Sequence, residues 1–159
     1  MKTLSAWSRR ALLAAGLASL LALGGCVSVQ ACKTAGGAAA EGPVKAVYHL
    51  TNGLDEAQRG IGNIRNHLAA DPSAKIVVVG NGLGIDFMLD GAKDRNGNPF
   101  DATIQELKSK GVEFRLCNNT LVSRKIEKSK VIADVSIVPS GVAEAARLQA
   151  REGFVYLRP

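Results

Sequence analysis

Chemistry in this chain gathers around Cys117, a thiol that closes the strand-like run Val112-Glu113-Phe114-Arg115-Leu116 and precedes the polar stretch Asn118-Asn119-Thr120. A thiol becomes a nucleophile only as its thiolate, so it needs access and something that stabilises negative charge. Backbone amides at the start of a following helix would supply that, and Arg115, Arg124 and Lys125 are nearby cations. The residue type alone leaves a second reading open, since free cysteine often does no more than fill a core. Its place beside an Asn-Asn-Thr turn predicts a shallow position instead. His49, closing the first strand candidate, reads either as a proton partner for Cys117 or as a histidine that caps its own turn. Asn52, Gly80, Asn81, Gly82, Asn118, Asn119 and Ser140 are the loop residues placed to touch a ligand.

Other motifs lead away from familiar chemistries. Two histidines and one cysteine in the folded part, without a Cys-x-x-Cys pair, do not form a metal-ligand pattern, and no cofactor is implied. Gly80, Gly82 and Gly84 miss the dinucleotide fingerprint, because Ile85 stands where the third glycine belongs, and no Gly-Lys-Ser/Thr ending follows. Asp94-Arg95-Asn96-Gly97-Asn98 opens like a calcium loop but has Pro99 at its sixth position and Gln105 at its twelfth, so it reads as a turn. Ser140 is read as a helix N-cap with room for an anion. No nucleophile-elbow or Ser/His/Asp arrangement is present.

The elements that must position these residues alternate. Val44 to Leu50 reads as a strand and ends at Thr51-Asn52-Gly53. Asp55 and Glu56 open a helix to Ala70, with Ile61, Ile64 and Leu68 on one face and His67 at its boundary. The β-branched run Ile76-Val77-Val78-Val79 suits a strand covered on both faces. A glycine loop, a single helical turn over 85–89, a helix over 101–110 ended by Gly111, and the strand ending before Cys117 follow. A polar segment over 123–130 is read as a short helix. Val135 to Pro139 is a fourth strand, Val142 to Arg151 a helix ended by Gly153, and Phe154 to Leu157 a fifth strand. This alternation predicts an α/β fold with a mainly parallel five-stranded sheet and every strand-to-helix loop at one edge.

The first 25 residues read as an export leader: Lys2, Arg9 and Arg10 before an apolar run too short to span a bilayer comfortably. Ser8-Arg9-Arg10-Ala11-Leu12-Leu13 resembles a twin-arginine signal. Leu23-Gly24-Gly25-Cys26 resembles a lipobox, which predicts lipidation of Cys26 and a membrane anchor without a spanning helix. Residues 26–42 form an Ala/Gly-rich tether, leaving 43–159 as one domain. Val27 after Cys26 favours the outer membrane, so the expected location is the bacterial envelope, facing the periplasm. Without the leader, seventeen basic residues face fourteen acidic ones, and the formal charge falls from +6 to +3. That charge, spread along the chain, speaks against nucleic acid as a partner. With Cys26 lipidated, a Cys32–Cys117 bridge is the one intrachain disulfide the sequence allows.

The segment Val112 to Thr120, read together with Ile137-Val138-Pro139-Ser140-Gly141-Val142-Ala143-Glu144, with Tyr48-His49 and with Asn63 to Leu68, resembles the DsrE/DsrF-like family over about residues 44–157. The resemblance implies a three-layer α/β/α sandwich, assembly into homo-trimers or hexamers, and, as in the relay members, a cysteine that carries sulfane sulfur as a persulfide between partner proteins. Cys117 is the position that matches. Relay members are cytoplasmic, whereas the leader here predicts export. The alternatives to a sulfur carrier are a non-catalytic oligomeric module that binds a small ligand or partner, and a thiol redox sensor.

Overall fold

The computed structural model describes residues 42–159. The leader, Cys26, Cys32 and most of the tether lie outside the described residues. Among the described residues no helix is long and apolar enough to cross a membrane.

Five strands, β1 (Lys45–Leu50), β2 (Lys75–Gly80), β3 (Glu113–Cys117), β4 (Ser136–Val138) and β5 (Val155–Leu157), form one sheet in the order β4-β3-β2-β1-β5. Every pairing is parallel. The helices are α1 (Leu54–Ala70), α2 (Phe100–Ser109), α3 (Asn118–Ser123) and α4 (Gly141–Glu152), with 3₁₀ segments at Gly82–Met88 and Lys128–Lys130.

Chain direction decides which face each connection covers. From β1 to β4 the strands step one way across the sheet, so right-handed crossovers put α1, the first 3₁₀ segment and α2 on the same face. The return from β4 to β5 runs the opposite way, and α4 covers the other face. The first face buries most of the core: Ala46, Tyr48, Leu50, Ile76, Val78, Phe114 and Leu116 from the strands meet Ile61 and Ile64 of α1, Phe87 and Met88, and Ile104 and Leu107 of α2. Phe87 lies edge-on to Phe100 and Phe114, at centroid distances of 5.7 and 6.3 Å. The second face has the smaller cluster Val47, Val77, Val79 and Leu148. The result is the expected α/β fold, with its sheet parallel throughout.

The segment after β3 departs from the sequence reading. Asn118-Asn119-Thr120 is the first turn of α3, which starts directly after Cys117 and ends at Ser123, and the region beyond it is a turn, with Lys125 at φ 54°, followed by the 3₁₀ segment Lys128–Lys130. Thr120 and Leu121 are buried and anchor α3. The lysine-rich stretch beyond offers only Ile126 to pack, too little for a helix face. The single turn expected over 85–89 is a 3₁₀ segment that begins at Gly82.

Glu56 does more than open α1. Its carboxylate is 1 % exposed and accepts the backbone amides of Thr51 and Asn52 at 2.5 and 2.6 Å and the Asn52 side chain at 3.2 Å. It thereby ties the β1–α1 loop into its bend, and Asn52 is occupied in that role. Glu56→Ala would strand two amides and cost about 3 kcal/mol. A lowered urea midpoint is the expected result, and an unchanged midpoint would show that other contacts hold the loop.

Candidate functional site at the switch between two sheet faces

The connection after β3 lies on the first face, as the packing of Leu121, Ile126 and Ile132 shows, whereas the connection after the neighbouring β4 passes to the second. Adjacent strands whose loops diverge leave a crevice at their carboxyl ends, and open α/β sheets bind ligands there. Cys117 and Gly141 meet at that switch point. A Cβ on Gly141 would stand 3.2 Å from the Cβ atoms of both Cys117 and Asn81 and 3.2 Å from Gly80 O. The absence of a side chain is what lets the first turn of α4 settle over the thiol.

Cys117 is only 4 % exposed, so the shallow position expected of it is corrected. Its burial comes from α4, an element remote in sequence. Burial pushes the thiol pKa up, yet the hydrogen bonds outweigh it: the Gly141 amide first, then the Thr120 hydroxyl and amide and the Asn119 amide, which together hold it below the ordinary cysteine value. Thr120 is itself fixed, because its hydroxyl oxygen accepts the Gly82 amide at 3.0 Å. That bond occupies a lone pair and leaves the proton for the sulfur. Ser140 is the N-cap of α4, accepting the Ala143 amide at 3.4 Å, as its place in the sequence predicted.

The two arginines near the thiol are engaged elsewhere. Arg115 is held by Glu113 and Glu144, and Arg124 by Asp86 at 2.6 Å and Gly82 O at 3.0 Å. Among the described residues, Asn118 Oδ1 is a buried acceptor left without a hydrogen-bond partner, directly beside Cys117.

His49 makes no hydrogen bond to Cys117. Its Nδ1 faces the Tyr156 hydroxyl at 2.9 Å and its Nε2 faces Asn81 Oδ1 at 2.7 Å, so neither nitrogen is free. Tyr156 escaped the sequence reading altogether. Its only signal was alternation within the last strand, which does not say which strand lies alongside. Gly80 packs against the carbonyl of Gly84, and Gly82 takes the left-handed conformation at φ 60° that frees its amide for Thr120. His67 bonds to the Tyr48 hydroxyl at 3.1 Å and lines a separate cleft with Asn63, Asn66 and Arg158.

A parallel α/β/α sandwich with one cradled thiol at its switch crevice defines the class of protein. The chain belongs to the DsrE/DsrF-like family, whose family model matches residues 45–158. Among solved structures it is similar to a protein of unknown function, MTH1491, from Methanobacterium thermoautotrophicum, at 28 % identity and a TM-score of 0.63 over 73 % of this chain and 99 % of the other. The ychN protein from E. coli shares the fold at 15 % identity and a TM-score of 0.59, over 74 % of this chain and 99 % of that one. No curated protein matches the sequence.

Proposed function

We propose that this is an envelope-facing, lipid-anchored DsrE-like protein in which Cys117 accepts sulfane sulfur and hands it on. The observation that carries the reading is a buried thiol at the carboxyl edge of the sheet with Gly141, at the start of α4, packed directly against it, and the amides there hold the thiol below the ordinary cysteine value. Such a cradle favours the thiolate in both halves of a relay. In the first half, the Cys117 thiolate attacks the outer sulfur of a donor persulfide or polysulfide, the donor's S–S bond breaks, and the donor departs as a thiolate. In the second, an acceptor thiolate attacks the sulfur now carried on Cys117, and Cys117 leaves as the thiolate its donors stabilise. Sulfur and electrons balance without an external oxidant. The leader and the lipobox-like Leu23-Gly24-Gly25-Cys26 support the location, and the family resemblance supports assembly as a homo-trimer or hexamer.

Incubating the protein with sodium tetrasulfide, alkylating it and locating the added sulfur by peptide mass, since Cys32 also carries a thiol, tests the role of Cys117. The wild type is expected to gain one reducible sulfur on the peptide that holds Cys117, whereas the corresponding peptide of Cys117→Ala gains none. A Cys117 peptide that stays unloaded would sink the reading.

The unpaired Asn118 Oδ1 favours a second reading, a binding module whose ligand donates a hydrogen bond at the same crevice. On that reading Cys117→Ser leaves ligand binding and phenotype intact, whereas Asn118→Leu removes them.

A further inference from the structure

His49 is a buried imidazole, 8 % exposed, that the sulfur chemistry does not use directly. What it holds is Asn81. A carboxamide oxygen only accepts hydrogen bonds, so the 2.7 Å contact to Asn81 Oδ1 requires the proton on Nε2. In the neutral ring Nδ1 is then the acceptor, and the Tyr156 hydroxyl donates to it at 2.9 Å. Tyr156 thus selects the tautomer, with its ring edge-on to the imidazole at 5.6 Å.

The chain of hydrogen bonds runs across the carboxyl edge of the sheet in strand order. Tyr156 belongs to β5, His49 to β1, and Asn81 follows β2; the next strand is β3, which ends in Cys117. With Oδ1 engaged by His49, Nδ2 is the end of the carboxamide left for another partner. The Asn81 side chain starts close to the thiol, since Asn81 Cβ and Cys117 Cβ both lie 3.2 Å from the point that a Gly141 Cβ would occupy. Backbone bonds fix Asn81 as well: its amide donates to Leu50 O at 3.1 Å and its carbonyl accepts the Gly84 amide at 3.0 Å. Among the described residues, Asn81 Nδ2 makes no hydrogen bond to a protein acceptor.

We infer that Asn81 Nδ2 is the donor for an anionic group carried on Cys117, and that His49, its tautomer set by Tyr156, is the positioning residue that keeps this amide facing the thiol. This rests on the sulfur-carrier reading for the identity of the group, which there is the anionic outer sulfur of a Cys117 persulfide. Without the Nε2 proton the amide is free to flip and present oxygen, which would repel that sulfur.

Three variants of the full chain separate this from mere support of the fold. His49→Phe keeps a ring but loses the donor, His49→Gln restores a donor near the Nε2 position, and Asn81→Asp keeps the acceptor for His49 while replacing Nδ2 by oxygen. Two readouts are taken: the ratio of Cys117 modification rates with iodoacetate, which leaves an anionic adduct, and neutral iodoacetamide; and persulfide occupancy after sodium tetrasulfide. Loss of one such hydrogen bond lowers the rate ratio and the occupancy about fivefold in His49→Phe. Asn81→Asp falls further, and His49→Gln returns to within about twofold of wild type, as one restored bond should. A ratio that does not move in any variant overturns the inference, as does His49→Gln falling as far as His49→Phe. If the ratio moves as described while the wild type takes up no sulfur, the anion position stands and the sulfur-carrier reading fails.

Discussion

Gly84→Ala is expected to unfold much of the domain's first face. A Cβ at residue 84 would clash with the carbonyl group of Leu50 and lie 2.5 Å from Thr51 N, and these are backbone atoms at the end of a central strand. Leu50 has no room to yield, since it is itself buried and pairs in register with Gly80. The 3₁₀ segment would have to move instead, drawing Ile85, Phe87 and Met88, all 0 % exposed, out of the centre of the core. Overpacking at a well-packed site costs about 1–3 kcal/mol when side chains can adjust; against backbone the cost rises to about 4 kcal/mol or more. For a domain of ordinary stability that is a large fraction of the total. Asn81 would shift too, because it is bonded on one side to Leu50 O and on the other to the Gly84 amide. Thermal and urea unfolding check this: a midpoint close to wild type would show that the close approach of the 3₁₀ segment to β1 is not required. Cys117 alkylation, measured on whatever folded fraction remains, should speed up as the crevice loosens.

Much of this arrangement was legible in the sequence, for reasons that also set the limits. The β-branched run of β2 and the three- and four-residue steps of Ile61, Ile64 and Leu68 are local patterns, and local patterns place elements. Parallel connectivity then brought Cys117, His49, Asn81 and Ser140 to one edge, because strands that all run the same way end on the same side of the sheet. Depth was not legible. Cys117 looked shallow beside Asn118-Asn119-Thr120, yet asparagine and threonine favour helix starts as well as turns, and here they start α3. The lid over the thiol is Gly141, whose missing Cβ matters only once β3 and β4 are known to be neighbours. The partner of His49 depends on β5 returning to lie beside β1, a register set by α4 crossing the whole sheet. Glu56 showed its place in a first helical turn but not its burial, since the amides it accepts come from a loop bent back over it.

Gly141→Ala tests the cradle itself. The backbone conformation of residue 141 suits alanine, and alanine is the better helix former, so the domain should remain folded. The added Cβ meets Asn81 Cβ, Cys117 Cβ and Gly80 O, each at 3.2 Å, and the carbonyl is the contact that cannot move aside. The first turn of α4 must lift by a few tenths of an ångström, which lengthens the bond from the Gly141 amide to the sulfur. That amide is the largest of the stabilising influences, and burial still pushes the other way, so the thiol pKa rises. Below the pKa the alkylation rate follows the thiolate fraction, and losing a hydrogen bond to a charged group slows it about tenfold. At high pH the order reverses, because a more basic thiolate is intrinsically the better nucleophile. The two rate profiles should therefore cross: Gly141→Ala slower near neutrality and faster on the alkaline plateau. A Cβ that merely obstructed the reagent would lower both limbs together, and profiles that superimpose would mean the amide contributes nothing to the thiolate. Stability must follow the same chemistry. A thiol whose folded pKa is depressed adds stability above its unfolded pKa and loses it as pH falls through the folded one. The wild type should accordingly gain on Gly141→Ala in unfolding free energy as pH rises from neutrality through the thiol range, a trend that no simple packing defect would produce.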